Sequence, residues 1–168
     1  MAPLAFVAAT TTAVTPGNAA PTTTAQFCLF NGELPGGKTY YITSVSASTT
    51  TSAAATENAQ LFLHVSAIPL ANIPSITAAA GPKSMGGGAN AGTLAKVGSA
   101  AGTIVNDGIW HPVGESRNTE TGTATIALGV WANVTGIYQI PPGGMLSLAF
   151  VTSTAAGACK SYVTWVEQ

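Results

Sequence analysis

Two histidines, His64 and His111, two cysteines, Cys28 and Cys159, and six acidic residues are the groups in this 168-residue chain able to do acid–base, nucleophilic or metal chemistry. A hydrolase triad needs a nucleophile, a histidine and an acid brought together. Asp107 and His111 are close in sequence, yet no serine sits in a G-x-S-x-G elbow or a comparable frame. His111, between Trp110 and Pro112, therefore reads as a loop residue, and His64 as a residue on the outer or interfacial face of its strand.

Glu115 and Glu120 flank Arg117 in ESRNTE, and paired carboxylates are the equipment of glycoside hydrolysis. The segment reads instead as a solvated polar loop between strands with weak ion pairing, the sharper alternative being a contact for a partner or a sugar. Met85-Gly-Gly-Gly88 lacks the GK[ST] ending of a phosphate loop, and calcium would need several clustered carboxylates. Cys28 and Cys159 form no CxxC and read as two separate buried thiols; zinc would have to recruit both histidines as well. The expectation is accordingly no catalytic, cofactor-binding or metal residue and no cofactor. Trp110 and Trp131 could stack on sugar rings, although aromatics at strand ends more often serve core or interface.

The elements that position these residues are strands. Leu61, Leu63 and Val65 alternate with Phe62, His64 and Ser66, and Ile126, Leu128 and Val130 alternate with Thr125, Ala127 and Gly129, the two-residue period of a strand with one face inward. Further strands are expected over 26–30, 39–47, 102–105, 145–152 and 160–167, with no useful helical period anywhere. Between Ile137 and Phe150 the chain spends four consecutive positions on Pro141-Pro-Gly-Gly144. Proline at the first central position of a turn and glycine at the second suit type II geometry, so Pro142-Gly143 reads as a rigid corner, partly echoed by Pro35-Gly-Gly37. The fold class predicted is all-β, an antiparallel, jelly-roll-like β-sandwich. Residues 1–24 are expected as an extended N-terminal arm and 25–168 as one domain with a long loop near 68–92. The run from Pro3 to Ala9 lacks the basic flank of a secretion signal.

Composition narrows the function. Charged residues make up 7%, where a soluble domain carries about 25%, and the net charge is −1. Lys38, Lys83, Lys96, Arg117 and Lys160 are scattered, which gives no footprint for nucleic acid or an anionic membrane. No run approaches the roughly 18 to 20 apolar residues of a membrane span, and Trp110, Trp131 and Trp165 argue against disorder. Outward strand positions filled by Thr, Ser, Ala and Gly, with few lysines to guard sheet edges, suit burial against copies of the same chain.

Ile140-Pro-Pro-Gly-Gly144, the apolar strand after it and the ending Tyr162-Val-Thr-Trp-Val-Glu-Gln168 resemble β-sandwich structural proteins of tailed-phage particles, namely capsid decoration (cement) proteins and jelly-roll fibre modules. The resemblance implies a small non-enzymatic protein, often a homotrimer, made in the host cytoplasm and placed on the virion exterior. Its partners would be itself and the major capsid protein or another virion protein, with no catalytic residue carried over. The alternative is a host-attachment or carbohydrate-binding β-sandwich module displaying Trp110 or Trp131.

Overall fold

The computed structural model describes residues 5–10, 13–50, 57–66, 83–85, 93–98, 102–103, 109–119, 127–154 and 157–168. Among them the regular elements are all strands: β1 (Ala5–Ala9), β2 (Thr24–Ala25), β3 (Phe27–Phe30), β4 (Tyr40–Thr49), β5 (Glu57–Ser66), β6 (Lys83–Ser84), β7 (Lys96–Gly98), β8 (Gly102–Thr103), β9 (His111–Asn118), β10 (Gly129–Asn133), β11 (Gln139–Ile140), β12 (Met145–Thr152) and β13 (Cys159–Glu167). No helix in the described residues is long and apolar enough to cross a membrane.

Period-two patterning sorts these strands into two antiparallel sheets packed face to face. Sheet I runs β10-β4-β13-β1-β6, with β11 also on β4; sheet II runs β7-β3-β12-β5-β9; β2 and β8 form a separate ribbon. Phe6, Tyr40, Ile42, Val45 and Trp165 point inward from sheet I and meet Phe27, Leu29, Leu61, Leu63, Leu148 and Phe150 from sheet II in one apolar core. At its centre Trp165 stacks on Phe6 with ring centroids 5.7 Å apart and on Tyr40 at 5.9 Å. The β-sandwich expected from alternation is therefore the architecture found.

The two proline–glycine corners share one geometry. Gly144 N donates to Pro141 O at 2.8 Å and Gly143 has φ +78°; Gly37 N donates to Leu34 O at 2.8 Å and Gly36 has φ +87°. Both are type II turns, in which the positive φ favours glycine. Buried Asn31 locks the corners to one another. Its Nδ2 donates to Lys38 O at 2.8 Å and to Ile140 O at 2.9 Å, while its own N–H and C=O engage Gly144 O and Gly143 N.

Two expectations need correction. The segment expected as an arm over 1–24 enters the sandwich: β1 pairs along its length with β13, Phe6 opposite Trp165, and β2 follows at Thr24–Ala25. Phe6 and Ala8 are buried while Ala5, Val7 and Ala9 are half-buried, so the apolar run Ala5–Ala9 is a strand covered on its inner face. The polar segment read as a loop is β9 up to Asn118, an edge strand paired with β5, Gln60 opposite Glu115 and Asn58 opposite Arg117. Charge at these positions marks the solvated side of a sheet edge, where it discourages pairing with another chain. Of the long loop near 68–92, Lys83–Ser84 pair with β1 and Met85 is exposed; 68–82 and 86–92 lie outside the described residues.

Candidate functional site

The groups with chemical potential at the centre of sheet II are enclosed. On its outer face, register places Cys28 of β3, Ser147 of β12 and His64 of β5 side by side, and all three are buried. Cys28 Sγ and Ser147 Oγ are 3.6 Å apart. Trp110 lies over this row, its ring 5.3 Å from that of His64, with Nε1 donating to Thr22 O at 3.0 Å. Together with Ala25 of β2, Met145 and Phe30 it closes a small apolar cluster over Cys28. Burial pushes the Cys28 thiol up to about 11, against a smaller lowering by Ser147, so near neutrality it stays a protonated thiol rather than a nucleophile. A substrate would have to displace Trp110 to reach the row.

The remaining nominees are dispersed. His111, read as a loop residue, instead opens β9 opposite Leu63, exposed, with its ring 5.8 Å from Tyr138. Asp107 and Glu120 lie outside the described residues. Glu115 and Arg117 line a polar hollow of about 130 Å³ with Asn58, Gln60 and Ser116. Cys159 is free like Cys28 and belongs to the inter-sheet core, its thiol also pushed up to about 11 by burial. At the end of β13 the buried Glu167 accepts from Lys38 Nζ at 3.2 Å, from Trp165 Nε1 at 3.3 Å and from Thr93 Oγ1. That carboxylate fastens the end of β13 and Lys38, two residues before β4, to the segment preceding β7.

The outer face of sheet I has the opposite character. Because β10, β4, β13 and β1 are in register, Trp131, Ser46, Tyr162 and Ala9 fall in one row across it. Trp131 is 68% exposed and Tyr162 41%. They stand on either side of β4, two interstrand spacings or about 10 Å apart. Between them lies an open hollow of about 300 Å³ with Ser46, Ser48 and Gly129 in its lining. Rows further along carry Ser44, Thr164 and Val7, then Tyr41, Val166 and Ala5. Thr164 Oγ1 is shared with Thr43 and Ser44 at 2.6 Å, which holds these small polar groups against the sheet. Among the described side chains of this face Lys160, opposite Ser48, is the ionised one.

Of the two tryptophans nominated for an exposed platform, Trp131 is on display and Trp110 is not. Tyr162 went unnoticed, although alternation in Cys159–Glu167 sets it opposite in sense to Val163 and Trp165. What the face can do chemically is recognition: aromatic surface, hydroxyls and almost no charge to desolvate. Compared with known proteins, the chain matches no family model and no curated sequence is found to be its relative.

Proposed function

We propose that the protein is a non-enzymatic virion structural subunit of the capsid decoration or cement kind. It sits on the particle exterior as a homo-oligomer and clamps neighbouring capsid proteins through neutral surfaces. The observation that carries this reading is the strand order. Take, among the described residues, the eight strands of four or more residues, β1, β3, β4, β5, β9, β10, β12 and β13. Ranked along the chain, they run 6-3-8-1 in sheet I and 2-7-4-5 in sheet II. That order supports a jelly roll, the double-sheet design shared by viral capsid proteins and lectins.

Fold alone does not choose among the functions a jelly roll hosts, but the contents of this one favour a structural role. The space between the sheets is filled by Trp165, Tyr40, Phe6 and their neighbours, and the serine–histidine–cysteine row is roofed by the chain itself. Among the described residues the outer face of sheet I is open at Trp131 and Tyr162 and, Lys160 apart, neutral. Repeated on a lattice, such contacts add through multivalency, so each can be modest. Mass spectrometry of purified virions encoded by the same genome, followed by a particle map, tests the reading. The expected result is the chain in stoichiometric amounts on the outer surface; its absence from the particles overturns the proposal.

A further inference from the structure

We propose that the outer face of sheet I pairs with the same face of a second copy of this chain, each Trp131 seating in the hollow between Trp131 and Tyr162 of the other. The inference deepens the structural role above by naming the partner of that face, and it rests on that reading.

Three observations choose a second copy as the occupant. The first is charge. A twofold contact sets a patch against itself, with residues near the axis meeting their own equivalents, so a charged patch repels its copy; across β10, β4, β13 and β1 the described side chains of this face are Lys160 at one end and otherwise serine, threonine, asparagine, alanine, valine, glycine and aromatic residues. The second is shape. Knob and hole lie in one row: Trp131 projects, and beside it the small side chains of Ser46, Ser48 and Gly129 leave about 300 Å³ open, room for a bicyclic ring when about 150 Å³ takes a benzene. Two indoles would then stack over hydroxyl floors. The third is area. Four strands at about 4.8 Å spacing and some eight residues of rise give a face of roughly 500 Å². Two such faces bury on the order of 1,000 Å², the level a specific interface must reach. A weak, reversible dimer follows, its strength concentrated in the aromatic pair.

Sedimentation equilibrium of the full chain from about 1 to about 300 µM tests this, a range suited to a contact of that size. Wild type is expected to rise toward twice the 16.7 kDa chain mass, and Trp131→Ala to weaken association at least about tenfold. Ser46→Glu, which sets like charges across the contact, should abolish it. Arg117→Ala, on the edge of sheet II, should leave it unchanged. Circular dichroism checks that each variant is folded.

A wild type that stays monomeric throughout overturns the pairing, as does association that persists in both Trp131→Ala and Ser46→Glu. Binding to a glycan panel by a monomeric chain, lost in Trp131→Ala, assigns the hollow to sugar and also overturns it. A monomer nevertheless found in virions sinks the pairing and leaves the structural role standing; a dimer absent from virions does the reverse.

Discussion

The outer faces of the two sheets each have a tryptophan beside serine and meet opposite fates. On sheet II the chain doubles back: β2 and Trp110 cover Cys28, Ser147, His64 and Met145, and β12 is buried on both sides. On sheet I no described segment covers Trp131 or Tyr162, which stand open beside serines. A tryptophan thus serves as a lid in one place and as a contact surface in the other. The lesson is that burial by the chain's own excursions, and not residue type, separates the structural aromatics from those left to meet a partner.

This contrast can be broken in several ways. The largest effect is expected from removing residues 1–24. That deletes β1 from between β13 and β6 and takes Phe6 away from Trp165, so the truncated chain should lose its native circular dichroism and cooperative melting. A merely frayed chain with intact near-ultraviolet signal would make β1 dispensable.

The covered face should next reveal itself in alkali. The folded-state pKa of Cys28, about 11, lies above its ordinary value of 9.0. The protonated thiol is thus favoured by folding, its contribution is complete below about pH 9, and it is lost as pH climbs through 11. The span corresponds to roughly 3 kcal/mol. Denaturant melts between pH 8 and 11 should show this decline, and Cys28→Ala should flatten part of it, with Cys159, shifted in the same sense, retaining the rest.

Trp110→Ala should cost about 2 kcal/mol, less than a fully buried tryptophan because Trp110 is only partly buried. It should also open Cys28 to a thiol reagent that wild type resists. The smallest effect on stability belongs to Trp131→Ala. Below the concentration at which copies meet, its unfolding free energy should stay within about 0.5 kcal/mol of wild type. A loss comparable to that of Trp110→Ala would show that the two faces are not as different as their exposures suggest.

Much of this architecture was legible from local chemistry. Alternation marked β5 and β10, runs of strand-forming residues marked β3, β4, β12 and β13, and proline followed by glycine marked the turn at Pro142-Gly143, because these signals act within a few residues. β1 was missed because Ala5–Ala9 is apolar on both sides and shows no polar beat. β9 was missed because an edge strand with exposed charge looks like a loop until its partner is known. The site was half legible. Trp131 stood beside Trp110 as an equal nominee, since only the packing of β2 and Trp110 on sheet II, a contact between distant parts of the chain, decides which indole serves as a lid. Asn31 carried no signal at all, yet it ties both corners together.

One further consequence follows from where β1 and β13 sit. The two strands at the heart of sheet I lie at opposite ends of the sequence, with Ala5 opposite Val166 and Ala9 opposite Tyr162. On a translating ribosome β4 and β1 therefore wait, unjoined and with Phe6 and Tyr40 uncovered, until β13 emerges to slot between them. Folding of this domain is governed by non-local closure, slow for its size, and a chaperone or a crowded neighbour has its opportunity in the interval before β13 joins β1 and β4.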